Sequence, residues 1–140
     1  MTEALKVPAG PVAVSERYST ELTFESLGVA ESLCKSLADQ GITTAFPIQA
    51  LTIADALAGR DVCGKAKTGS GKTLAFGLPL LQRLADVLSG ADGAVVPLKG
   101  HPSRPRALVL LPTRELAVQV YDVLRPLAER MGMRIVAGYG

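Results

Sequence analysis

The sequence predicts an α/β domain built on a parallel sheet. Three observations carry that prediction. Short apolar runs alternate with stretches of helical periodicity, the run at 107–111 is apolar on both faces, and a glycine-rich loop joins one strand candidate to the helix after it.

The elements follow in chain order. Residues 1–21 hold two prolines and scattered polar side chains with neither periodicity, and are expected to form a flexible tail. In the next unit, 22–50, residues 30–40 turn helical: Leu33, Cys34, Leu37 and Ala38 share a face, and Gly41 supplies the stop. A second helix is expected over 47–58, opened by Pro47 at a first helical position and closed by Gly59. Its apolar stripe is Ile48, Leu51, Ile53, Ala54 and Leu57. A short strand at 61–65 leads into the glycine-rich loop, and a helix over 71–88 leads out of it. Residues 89–105, with three glycines and three prolines, read as a long surface loop. Ala-Leu-Val-Leu-Leu at 107–111 is the strand candidate with two apolar faces. The last helix is expected over 114–130 with Leu116, Val120, Val123, Leu124 and Leu127 inward, and Pro126 should kink or divide it. Gly132 ends it, and 134–137 is a third strand candidate.

Composition narrows the function classes. The chain has 140 residues, enough for one domain with a core; 48% are hydrophobic and 20% charged, a globular balance. A net charge of +2 gives no bulk attraction for nucleic acid, so any such role must rest on where basic residues sit. Cys34 and Cys63 match no metal-ligand spacing and are expected to be reduced, partly buried thiols. The single histidine, His101, falls in the Gly/Pro-rich stretch and reads as a loop residue. No signal peptide is visible, and no apolar run approaches the roughly 20 residues of a spanning helix. A soluble, cytoplasmic protein without membrane contact is expected.

The loop Ala66-Lys67-Thr68-Gly69-Ser70-Gly71-Lys72-Thr73 lies between a strand candidate and a helix, the setting in which a phosphate-binding motif is credible. Glycines let backbone N–H groups close around phosphate oxygens, and the helix N-terminus adds its positive end. Lys72 would place a compact charge on the β- and γ-phosphates of ATP. Thr73 would offer its hydroxyl to Mg²⁺. Both are the catalytic-site candidates in this chain. Ala66 stands where the general pattern has a glycine, and a small side chain meets that need.

Three segments narrow the loop to one family. The run 66–73 resembles motif I of the DEAD-box RNA helicases almost letter for letter. Pro112-Thr113-Arg114-Glu115-Leu116-Ala117-Val118-Gln119 is similar to that family's motif Ia throughout. Residues 41–49, ending in Pro47-Ile48-Gln49, look like its Q motif, with Phe24 at the expected distance upstream. The matches span 24–119 in the family's order, and bacterial members, the RhlE-like group among them, are the most similar.

The resemblance implies a RecA-like P-loop domain, of which 51–140 is the first part and 22–50 the Q-motif region. It implies that Gln49 reads adenine, since an amide pairs bidentately with N6 and N7 but mismatches guanine's O6. It also implies that Phe24 stacks on or near the base. The Q motif departs from the family's pattern at Ile42, Ala45 and Phe46, and Phe46 is expected to fill the space an aromatic at 42 would take. Pro112, Thr113 and Arg114 are implied to line an RNA groove, joined by Gly140 at the start of a Gly-rich turn. Contacts to the sugar–phosphate backbone would be sequence-tolerant and salt-sensitive. Lys99, His101, Arg104 and Arg106 make the 89–106 loop basic; it reads as a solvated surface, with an auxiliary RNA contact as the sharper alternative.

The sequence contains no Asp-Glu-Ala-Asp and no Ser-Ala-Thr. The carboxylates that hold Mg²⁺ and orient the attacking water are therefore not supplied here, and these residues alone are expected not to turn over ATP. A second RecA-like domain is expected downstream in a full-length helicase, and a truncated, non-catalytic ATP- and RNA-binding module is the other reading. Without the later strands of the fold, Val109, Leu110 and Leu111 would lack sheet neighbours, and the isolated segment is expected to fold poorly.

Overall fold

The computed structural model describes residues 22–69, 71–89 and 105–140. The expected tail at 1–21 and most of the expected surface loop, with Lys99, His101 and Arg104, lie outside the described residues. Among the described residues, a 3₁₀ turn at Glu25–Leu27 precedes four helices: α1 (Glu31–Asp39), α2 (Pro47–Leu57), α3 (Lys72–Ser89) and α4 (Arg114–Arg130).

All four helices fall where periodicity and stop signals place them. α1 opens with Glu31, whose carboxyl is held below the usual range by the Lys35 ammonium one turn on, at 2.8 Å. Gly41, Gly59 and Gly132 each follow a helix with positive φ, as expected of C-terminal stops. At the start of α2, the Gln49 side chain accepts a hydrogen bond from the Phe46 N–H at 2.8 Å, satisfying an N-cap donor. At α4, the Thr113 hydroxyl accepts from the Leu116 N–H at 3.2 Å, which caps the helix.

α3 runs unbroken through Pro79 and α4 through Pro126. The expected division of α4 does not occur. Val120 on one side of Pro126 and Leu127 and Ala128 on the other are all buried on a common face. Covering that face offsets the roughly 3 kcal/mol that an interior proline costs a helix.

α2 packs on α3, α3 on α4, and α1 on α4. The shared core holds Phe24, Val29, Leu33, Leu37, Ile53, Leu78, Leu124 and Leu127, among others. Gly77 lets α3 and α4 approach, since a Cβ there would run into the Leu124 side chain. The expected stripes are trimmed: Leu51 and Val123 are 39% and 38% exposed, and Ala38 and Ala54 are open. Each helix is covered along one narrow line, so positions at the margin of a stripe stay in solvent.

The parallel sheet is not formed among the described residues, whose single β-bridge joins Thr23 and Thr44. Among the described residues, the segments expected as strands at 61–65, 107–111 and 134–137 form no ladder. Burial nevertheless alternates in the last two, while 61–65 is exposed throughout. Leu108, Leu110 and Val136 are 79%, 82% and 77% exposed, whereas Leu111 and Ile135 pack against the helical core. That period of two marks strand-like runs with one face on the helices and the other open. Parallel ladders need neighbours distant in sequence, and no described segment supplies one. For the same reason Cys63 is exposed rather than partly buried as expected, while Cys34 is half-buried.

Candidate nucleotide and nucleic-acid site

The glycine-rich loop enters α3 at Lys72, so the helix N-terminus points its free N–H groups into the loop. Gly69 and Gly71 have φ of 80° and 82°. At Gly71 the need is double, because a Cβ would also overlap the Gln49 amide and the Phe46 ring. Ala66 and Thr73 are half-buried; Lys67, Thr68 and Gly69 are exposed, and Ser70 lies outside the described residues. The Lys72 ammonium donates to the Ala66 carbonyl oxygen at 2.8 Å and so spans its own loop. A phosphate entering that loop would compete with one carbonyl for the lysine.

Gln49 is 2% exposed, and its amide is already tied at both ends. Its Oε1 takes the Phe46 N–H at 2.8 Å, and its Nε2 donates to the Gly71 carbonyl oxygen at 3.0 Å. An amide has two acceptor lone pairs and two N–H bonds, so one of each is left over. The remaining donor and acceptor match adenine's N6 and N7 edge in kind, on a side chain that is itself buried. The fold thus joins the start of α2 to the last glycine of the phosphate loop through one side chain.

Phe24 is placed differently from expectation. Its ring is 2% exposed and packs in the core, because the turn over 25–28 folds back and the Val29 N–H bonds to the Phe24 carbonyl at 3.1 Å. It offers no open face for stacking a base. An open cavity of about 190 Å³ borders it, lined by Thr23, Glu25, Cys34, Ala38, Ile42 and Thr43, with neither Gln49 nor a loop residue in the wall. Burial pushes the Cys34 thiol above its ordinary pKa, with the Glu25 charge adding to the effect. Phe46 is 53% exposed and lies over Gly71, while Ile42 packs on the core. Phe46 therefore does not fill space beside position 42.

Pro112, Thr113 and Arg114 are exposed at the entry to α4. The Arg114 guanidinium sits 5.2 Å above the Tyr139 ring, which brings Gly140 into the same neighbourhood. Tyr139 went unnoticed in the sequence; an aromatic beside a glycine turn was the available signal. Gln82 of α3 also escaped notice. Its amide holds the Gly28 carbonyl and the Ala30 N–H, contacts that no local pattern announces. Among the described residues, no three His, Cys, Asp or Glu side chains group as a metal site, and no helix is long and apolar enough to cross a membrane.

Comparison with known proteins identifies the family. The model of the DEAD/DEAH box helicase family matches residues 46–140. The chain is 40% identical over 127 residues to the ATP-dependent RNA helicase RhlB of Xanthomonas oryzae, covering 91% of this chain and 21% of that protein. It is 42% identical over 123 residues to the chloroplastic DEAD-box ATP-dependent RNA helicase 3B of Zea mays, covering 88% of this chain and 16% of the relative. The DEAD-box ATP-dependent RNA helicase CshA of Bacillus cereus is 41% identical over 118 residues, covering 84% and 20%. The chain thus spans about a fifth of the length of the relatives it matches. The family model takes in the α2 start, the phosphate loop and the α4 entry alike, and the chain belongs to the DEAD/DEAH box helicase family.

Proposed function

We propose that this chain forms the ATP-binding part, and a portion of the RNA groove, of a cytoplasmic ATP-dependent RNA helicase. The observation that carries the reading is the Gln49 amide, which holds the Q-motif segment against Gly71 and keeps one donor and one acceptor for adenine. On ATP binding, Lys72 leaves the Ala66 carbonyl for the β- and γ-phosphates, and the N–H groups of 69–73 close around them. The Thr73 hydroxyl in the first turn of α3 suits Mg²⁺, which when bound neutralises phosphate charge; the remaining ligands would come from carboxylates beyond these residues. Pro112, Thr113, Arg114 and Gly140 contact the RNA backbone, so binding weakens with salt and tolerates sequence. We assign 61–65, 107–111 and 134–137 to strands of the RecA-like parallel sheet, completed by chain outside 1–140. A second RecA-like domain, closing on ATP and RNA to separate short duplexes, belongs to the same full-length protein.

Lys72→Ala in that protein should reduce RNA-stimulated ATP hydrolysis about 100-fold or more, because the substitution removes the charge placed on the β- and γ-phosphates. Unchanged turnover in a steady-state phosphate-release assay would remove the site assignment.

A further inference from the structure

The segment that precedes α1 is bound to α3 by one side chain. Gln82 Oε1 accepts the Ala30 N–H at 2.8 Å, and Gln82 Nε2 donates to the Gly28 carbonyl oxygen at 2.9 Å. The partners are 52 and 54 residues away in sequence. A carbonyl and the N–H two residues on form the edge that a neighbouring strand would pair with, and here an amide side chain takes the strand's place. Gly28 makes this edge available. Its φ of 94° turns the chain out of the 3₁₀ turn, and Val29, 4% exposed, then anchors it in the core.

The grip continues toward the nucleotide site. Residues 22–24 bond to the segment before α2, through the Thr23–Thr44 bridge and the Ala45 N–H on the Leu22 carbonyl at 2.8 Å. Phe46 follows Ala45 directly, and its N–H fixes the Gln49 amide, which in turn reaches Gly71 just before α3. Contacts therefore run in a closed ring, from Gln82 through 28–30, 22–24, 44–46 and Gln49 back to α3. α3 is held at both ends of the ring, at Gly71 and about 16 Å further along at Gln82.

We propose that Gln82 is a positioning residue for adenine recognition, setting the placement of the Q-motif segment and hence of the Gln49 amide over the phosphate loop. This rests on the reading of Gln49 as the adenine contact. Gln82 touches no nucleotide itself. Its loss should loosen the base-reading side of the site and leave the phosphate-reading side, built on the loop and the α3 N-terminus, intact.

The test is displacement of a fluorescent ADP analogue from the full-length protein by ADP, IDP and tripolyphosphate, in the wild type, Gln82→Met and Gln82→Glu. Methionine keeps length and helix preference but carries no strong hydrogen bond; glutamate keeps the acceptor for Ala30 and loses the donor to Gly28. Gln82→Met should weaken ADP about five- to tenfold and shrink the ADP-over-IDP preference, with tripolyphosphate changed by less than about twofold. Gln82→Glu, which sets a carboxylate oxygen against the Gly28 carbonyl, should shrink the ADP-over-IDP preference in the same direction, and it decides the matter where the methionine variant fails to fold. An unchanged ADP preference, or equal losses for ADP and tripolyphosphate, overturns the positioning role. A wild type that shows no preference for ADP over IDP overturns the adenine reading of Gln49 instead, so the two failures are distinct.

Discussion

Leu78 and Leu110 are the same side chain in runs of similar apolarity, yet one is 0% and the other 82% exposed. The difference lies in where each element finds its partners. A helix satisfies its own backbone and needs one covered stripe, which α2 and α4 give to α3 here. A strand leaves its backbone groups and both faces to segments elsewhere in the chain. The run at 107–111 therefore lays alternate residues on the helices and presents the others to solvent.

This contrast can be broken or sharpened by substitution, with thermal and denaturant unfolding as the measurement. The largest effect is expected at Leu78→Ala, which should cost about 2–5 kcal/mol by opening a cavity between α3 and α4. Thr113→Ala comes next at about 1 kcal/mol, the value of one N-cap hydrogen bond at the start of α4. Leu110→Ala should change the stability of these 140 residues by less than about 0.5 kcal/mol. A loss at Leu110 as large as that at Leu78 would end the contrast as drawn. The same substitution in a full-length helicase sharpens it: there Leu110→Ala should cost about 2 kcal/mol or more, provided later strands cover the run as proposed.

The nucleotide side and the RNA side of the candidate site differ in a similar way. Gln49, Gly71 and Lys72 are joined to one another and to the loop by hydrogen bonds between 2.8 and 3.0 Å. Pro112, Thr113 and Arg114 stand in solvent, and Arg114's ring contact with Tyr139 is the tertiary tie that draws 112–114 toward Gly140. A pocket for a defined base benefits from preorganised donors and acceptors. A groove for a phosphate backbone needs charge and access, and exposed side chains supply both.

Much of this was legible in the residues. Helix positions followed from apolar spacing, Pro47, Gly41, Gly59 and Gly132, because these are local properties of the chain. The candidate phosphate loop was legible because such chemistry demands glycines, a lysine and a hydroxyl at fixed offsets. Other features depended on who packs against whom. Phe24 went into the core, Leu51 and Val123 to the surface, and α4 passed Pro126 whole, each decided by neighbours far off in sequence. The same holds for the two glutamines. Nothing around Gln82 marks it, yet its partners lie across the fold, and the two bonds Gln49 spends, on Phe46 and Gly71, are likewise set by tertiary contact. Local rules placed the helices and marked the loop as a candidate phosphate site. Tertiary contact alone decided which polar groups are spent and which apolar residues are covered, because burial and hydrogen bonding are satisfied in space and not along the chain.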